Sequence, residues 1–327
     1  MKKKLLDYLF CPDCHCEFQL ITKKAEDGEI IEGSLLCSAC NNEYPIKMGI
    51  PRILKRETDR VSQRTSKNFG YSWTKVWKLS NADELEFNSY FAALLKKEDF
   101  KDKLILDAGC GSGRFTYFVG LHSTKDVIGF DFSNSVESAF EITRRLKNVH
   151  IVQADIYNLP LKKEYELIYS IGVLHHLPRP QESFNNLVSL LVKNGQIFAW
   201  VYGKEGNRIY LKLFEPFRAI TCQLPLFMNN ILSTLLAGTI WIIIKLIYLP
   251  CYKRGFVEKL PLGKYLMFFY RLGFKQFRGT VFDKMIPPIA NYYTEQEFRS
   301  WFQDNGLKDI KILERTGNSW RGVGRYV

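Results

Sequence analysis

The chain has 327 residues, 46% of them hydrophobic, with a formal net charge of +12. That composition excludes a disordered or fibrous chain and leaves room for a full α/β core plus a small second module. Eight cysteines are too few for a disulfide scaffold, and charge at Met1-Lys2-Lys3-Lys4-Leu5-Leu6-Asp7 interrupts any signal-peptide apolar run, so a reducing cytosol is expected.

The positive charge is uneven. Residues 1 to 60 hold ten basic and ten acidic side chains, whereas residues 203 to 290 hold thirteen Lys or Arg against Glu205, Glu215, Glu258 and Asp283.

Residues 1–54 read as a compact cysteine-containing unit. Cys11-Pro12-Asp13-Cys14 and Cys37-Ser38-Ala39-Cys40 are two C-x2-C knuckles, 22 residues apart, with space between them for a pair of short strands. Four thiolates make a closed tetrahedral Zn2+ site, structural and not catalytic, which folds a unit too small to hold itself together. Cys11 to His15 also fits the C-x-x-C-H haem-attachment pattern, but the second knuckle argues against it, leaving His15 and Cys16 as bystanders, with Cys16 a substitute ligand at most. From Leu5 to Leu54, with Tyr44-Pro45-Ile46 and Gly49-Ile50-Pro51 after the knuckles, the unit resembles the small zinc ribbon that activates several RNA and protein methyltransferases.

Lys55 to Asn68 is charged and without apolar period, which predicts a linker. Residues 55–100 then continue through the aromatic Phe69-Gly70-Tyr71-Ser72-Trp73 into a helical cover over Glu84 to Lys97.

From Lys103 onward short apolar strands alternate with amphipathic helices, the pattern of βαβ units building a parallel sheet. Strands are expected at Leu104 to Asp107, Val127 to Asp131, Ile151 to Asp155, Leu167 to Ile171 and Gln196 to Val201. Phe184, Leu187, Val188 and Leu191 mark a helix, with Gly195 as its left-handed stop. Thr294-Glu295-Gln296-Glu297 fits a capping box opening a late helix that Gly306 ends, and two further strands follow near Ile310 to Leu313 and Val323 to Val327.

Leu104 to Gly113 runs from a strand into a glycine-rich turn and a helix, where missing Cβ atoms let a ligand approach the backbone. The dinucleotide fingerprint needs a glycine at the sixth place, which here is Arg114. Glycines at places one, three and five, with Asp107 two residues earlier, instead resemble motif I of class I S-adenosylmethionine-dependent methyltransferases.

That resemblance covers roughly residues 100 to 327 and implies a Rossmann-like, doubly wound, mostly parallel seven-stranded sheet in a domain at 101–327. It further implies a donor site of Asp107, Gly109, Cys110, Gly111, Gly113, Asp131, Phe132, Asp155, Ile156 and Ser170. Asp131 would accept the ribose hydroxyls, and Asp155 would face the adenine amino group with Ile156 against the ring. By the same analogy His175 or His176, beyond the fourth strand, is the candidate base, with a pKa suited to neutral pH. Tyr71, Trp73, Tyr292, Tyr293, Trp320 and Arg321 are weaker candidates for the acceptor wall.

After the fifth strand lies an apolar, basic insertion at 203–290, including the run Ile231 to Pro250, which is long enough to span a bilayer. A single crossing would divide strands of one sheet between two sides of the membrane. An interfacial or re-entrant element, a pair of spans and a buried apolar lid remain, and the basic and aromatic flanks favour peripheral membrane contact through 209–278. The sequence thus leads to methyl transfer onto a small-molecule or lipid-like acceptor. The alternatives are an RNA (tRNA or rRNA) methyltransferase and an inactive donor-binding partner or scaffold protein.

Overall fold

A computed structural model describes residues 1–54, 60–72 and 80–327. Its backbone is one eleven-stranded mixed sheet in the order β1-β2-β3-β4-β7-β6-β5-β8-β9-β11-β10. Seven of these strands form the expected Rossmann-like layer: β5 (Ile105–Ala108), β6 (Val127–Asp131), β7 (Val149–Ala154), β8 (Tyr165–Ile171), β9 (Leu191–Tyr202), β10 (Lys308–Arg315) and β11 (Ser319–Arg325). The first five pair in parallel, while β11 runs antiparallel to both β9 and β10.

Period-two alternation explains why helices cover both faces of this layer. Leu106, Ala108, Ile128, Phe130, Val152 and Ala154 enter one core, shared with Phe184 and Leu187 of α5 (Pro180–Ser189) and Phe298 and Phe302 of α11 (Glu295–Asp304). Their strand neighbours Ile105, Val127, Ile151 and Leu167 enter the other core. There they meet Phe87 and Phe91 of α2 (Asn81–Phe91), Phe115 and Val119 of α3 (Arg114–His122), and Val136 and Ala139 of α4 (Val136–Thr143).

The other four strands belong to the ribbon: β1 (Phe18–Glu26), β2 (Glu29–Cys37), β3 (Glu43–Lys47) and β4 (Ile50–Ile53). The sequence does not show that β4 pairs in parallel with β7, joining ribbon and catalytic layer into one sheet. Asp126 reinforces the junction by accepting from Tyr8 at 2.5 Å, pairing with Lys4 at 2.5 Å and meeting His150 Nε2 at 3.1 Å. Leu5, Leu9 and Leu35 share the first core with Leu106 and Ile128, so the ribbon is packed and not merely tethered.

Several local expectations change, among them the cover helix, expected over Glu84 to Lys97 and found as α2 at Asn81–Phe91. The segment expected as a linker contains a helix, α1 (Arg60–Tyr71), held by Asn68 donating to the Ile286 carbonyl at 2.8 Å and Arg64 donating to the Cys222 carbonyl at 2.6 Å. Its partners lie more than 150 residues away, so local periodicity could not reveal it. The left-handed residue after α5 is Asn194 (φ 64°), not Gly195; a Cβ on Gly195 would come within 2.9 Å of the Tyr165 carbonyl oxygen. The capping box at Thr294 and Glu297 and the left-handed Gly306 stand as expected.

The insertion between β9 and α11 is helical: α6 (Arg208–Thr221), α7 (Leu226–Ile243), α8 (Leu249–Lys253), α9 (Gly263–Leu272) and α10 (Phe274–Met285). A wide π turn at Ile244–Tyr248 joins α7 to α8. These helices build a third core of their own from Ala237, Ile244, Leu266, Phe277 and Met285.

Candidate active site

The carboxyl ends of β5, β6, β7 and β8 open into one cleft of about 1640 Å³ including its mouth. At the end of β5 the backbone turns left-handed at Gly109, Gly111 and Gly113, with φ of 82°, 54° and 76°. A Cβ on Gly109 would also sit 2.2 Å from Val173 Cγ2, so packing and dihedral both require glycine there. Both Gly109 and Cys110 donate their N–H to the Phe130 carbonyl at 2.8 Å, which fastens the turn to β6.

Asp131 joins the two strand ends. Its Oδ2 accepts the Gly111 N–H at 3.0 Å, and its Oδ1 accepts both the N–H and the hydroxyl of Ser133 at 2.7 Å. Burial raises its pKa against these bonds, and Oδ2, which accepts one donor, keeps capacity for a ligand hydroxyl. Asp107 is more deeply engaged: it accepts Thr116 at 2.6 Å and Tyr169 at 2.7 Å, and burial pushes its pKa up to about 7. Asp155, Ile156, Phe132 and Cys110 line the same cleft. Ser170 does not, because its hydroxyl turns into the core and donates to the Ala108 carbonyl at 3.0 Å.

The two histidines separate. His175 is fully buried, lies outside the cleft lining and packs against Tyr202 with its ring tilted, at 3.9 Å between ring centres. It cannot reach an acceptor. His176 does line the cleft, and its Nδ1 meets the Ile289 carbonyl at 2.8 Å, which fixes the proton on Nδ1 and leaves Nε2 as acceptor. Burial depresses its pKa to about 4, so the expected near-neutral value does not hold.

The cleft is also walled by the aromatic residues Phe69, Tyr90, Trp200, Tyr202, Tyr265 and Phe269. Of the walls expected from sequence, Trp73 lies outside the described residues, and Tyr71, Tyr292, Tyr293, Trp320 and Arg321 are engaged elsewhere. Tyr71 packs on Phe282, Tyr292 donates to Glu215 at 2.8 Å, Tyr293 packs on Trp301, Trp320 donates to Glu205 at 3.1 Å, and Arg321 caps α2 through the Ser89 and Ala92 carbonyls.

Sequence reasoning missed Lys284 of α10. Its Nζ stands over the rings of Tyr202 at 4.4 Å, Tyr210 at 4.8 Å and Tyr265 at 5.6 Å, facing the cleft. Burial lowers its pKa from 10.5 to about 8, against the pull of Glu215 and Asp283. It missed Glu86 too, which lines the cleft and pairs with Arg114 at 2.6 Å, while Asp83 holds the same guanidinium at 3.0 Å. This buried triad pins the cover helix α2 to the start of α3.

In the ribbon, Cys11, Cys14, Cys37 and Cys40 bring their sulfurs within 4.8 Å of one another. Cys11 to Cys40 is 3.6 Å and Cys14 to Cys37 is 3.3 Å, close to the roughly 3.8 Å edge of a tetrahedron with Zn–S bonds near 2.3 Å. The donor set fits a structural Zn2+. Both knuckles end alike, on a left-handed residue four places after the first cysteine, His15 and Asn41. Cys16 is exposed and outside the cluster.

Residues 99–211 match the methyltransferase domain family, and residues 2–49 match the Trm112p-like protein family. The chain carries a methyltransferase domain behind a Trm112p-like ribbon. Similar curated proteins are tRNA U34 carboxymethyltransferases, from Glaesserella parasuis (32% identical over 101 residues) and from Ruthia magnifica (27% over 101 residues). Each match covers 30% of this chain and 32% of the relative, so the chain spans about a third of the relatives' length. Solved structures sharing its outline include magnesium protoporphyrin IX methyltransferase from Synechocystis (TM-score 0.48, 15% identity, 82% of this chain and 100% of that one). Human N-acetylserotonin methyltransferase is another (TM-score 0.49, 12% identity, 83% of this chain and 60% of that one). In the methyltransferase domain, the ends of β5 and β6 line the cleft, and the helices beyond residue 211 carry much of its cover.

Proposed function

We propose that this protein transfers the methyl group of S-adenosylmethionine to a nucleophilic oxygen or nitrogen held beside His176 and Lys284. The observation that carries this reading is the Asp131 carboxylate bonded to the Gly111 N–H, at the mouth of a cleft that also holds Asp155 and Lys284. The donor supplies an electrophilic methyl on a positively charged sulfur. Gly109 to Gly113 and Asp131 hold its ribose and amino-acid portion, Asp155 and Ile156 its adenine, and the aromatic walls exclude water from the acceptor. As a neutral amine Lys284 takes the acceptor's proton, since a base with a pKa near 8 is matched to neutral solution, and His176 Nε2 orients the acceptor by accepting a hydrogen bond.

Two acceptor classes are supported by separate observations. The named relatives act on tRNA, and the ribbon belongs to the Trm112p-like family, so an RNA nucleotide is the better supported acceptor than the small or lipid-like molecule expected from the sequence. A compact ring-bearing acceptor is favoured by the six aromatic walls. One experiment separates them: incubate the protein with methyl-labelled donor and cell extract, then fractionate RNA, lipid and small metabolites. Label in tRNA supports the first reading and label in the other fractions the second; absence of donor binding in calorimetry ends both.

A further inference from the structure

α7 is apolar on both sides: Leu232, Leu236, Ile240 and Trp241 pack inward on the third core, and large apolar side chains also face outward. Toward the body it buries Asn229, Ser233 and Ala237, with Asn229 donating to the Thr221 carbonyl at 2.9 Å and Arg278 donating to Asn230 at 2.7 Å. Outward it presents Phe227, Ile231, Leu235 and Ile242, and the helix continues through Leu246, the most exposed of these at 72%. Water-facing helices place large apolar residues inward.

The pattern is regional. Of twenty large apolar side chains exposed among the described residues, fourteen lie between Leu213 and Phe274, including Leu213, Phe217 and Ile220 on one stripe of α6. Monomeric proteins rarely leave so many large apolar side chains of one segment exposed to water. Lys212, Lys245, Lys253, Arg254, Lys259 and Lys264 are exposed in the same helices, where Glu258 is the one exposed acid between residues 206 and 282.

We propose that the outer face of α6, α7 and α8 docks in the plane of an anionic lipid surface, with Leu and Ile side chains entering the acyl boundary and the Lys and Arg side chains meeting headgroup phosphates. Charge selects this occupant over a second copy of the chain, because a self-complementary interface would set one basic, acid-poor patch against another. Helix length alone permits a crossing: Leu226–Lys253 is the one helix among the described residues long and apolar enough to span a bilayer. Packing forbids it, since the inner face of α7 lies on α10 and the strands on either side of the insertion, β9 and β11, pair in one sheet. The helix therefore lies along the surface. The opposite sides of α9 and α10 line the cleft through Tyr265, Phe269 and Lys284, so the docked face is the outer skin of the active-site cover.

The test is flotation of the full chain with vesicles of phosphatidylcholine alone and of phosphatidylcholine mixed with phosphatidylglycerol. Flotation with the mixed vesicles, weakened by salt, is expected. Leu235→Glu with Leu246→Glu should abolish it, and Lys253→Glu with Arg254→Glu should weaken it about fivefold per charge, each variant retaining the parent's melting temperature. A chain that stays unbound to both vesicle types overturns the proposal. So does a stable dimer that Leu246→Glu dissociates without any flotation, which would assign the face to a second copy.

Discussion

The two halves of the cleft are built on different principles. The half proposed to hold the donor is made at the ends of β5, β6 and β7, where each residue is placed by a strand that ends at the same edge of one sheet, and its key contact spans only 20 residues. The half proposed to hold the acceptor is assembled from α1, β9, α9 and α10, and its Lys284, Tyr202 and Tyr265 join residues up to 82 positions apart in sequence. A site fixed by the sheet tolerates variation in its cover, whereas a site fixed by the cover changes its chemistry whenever the helices are redrawn.

Substitutions that strike one half and spare the other sharpen this contrast. The largest effect is expected from Asp131→Ala, which removes two sets of charge-assisted bonds and should weaken donor binding by about a hundredfold or more. Calorimetry with the donor checks it, and unchanged affinity would detach the donor half from this carboxylate.

Lys284→Met should lower kcat/KM by roughly a hundredfold, the range of one general base, while leaving donor affinity within about twofold. In the parent, kcat/KM should rise through a limb near pH 8, and the variant should lose that limb. Stability moves the other way. The folded pKa of Lys284 lies below its unfolded value of 10.5, so the unfolded chain binds the extra proton between about 8 and 10.5 and the burial cost falls as pH rises through that window. Thermal melts should therefore find the Met variant more stable than the parent at pH 7, with the gain vanishing above pH 10.5.

The smallest effect is expected from His176→Asn, which keeps a donor for the Ile289 carbonyl and removes Nε2. With a pKa near 4 the ring contributes orientation and little proton-transfer drive, so turnover should fall less than about tenfold with the pH limb intact. A larger loss, or loss of the limb, would return the role of base to His176.

Much of this division was legible beforehand in particular residues. The strand Val127–Asp131 was readable to the residue, because a buried parallel strand is a short apolar run that ends where polar chemistry begins. The capping box at Thr294 and the cysteine knuckles were equally plain, since both are local spacings with a direct geometric meaning. Helix α1 was not, because a charged segment without period becomes helical here through contacts to Cys222 and Ile286. His175 and His176 could not be told apart from sequence, as adjacent residues carry no record of which one a neighbouring Tyr202 will bury.

By itself, then, the sequence determined the parallel sheet, the glycine turn with its two strand-end acids and the four-thiol cluster, all of which depend on spacings of a few residues and on period two. Only the tertiary structure decided that the ribbon extends the sheet through β4, that Lys284 and not Arg321 enters the cleft, and that α7 leaves Phe227, Ile231, Leu235 and Ile242 uncovered. Those outcomes follow from which surfaces meet after the chain has folded, and a linear pattern states how apolar a helix is without stating which of its faces the protein will cover.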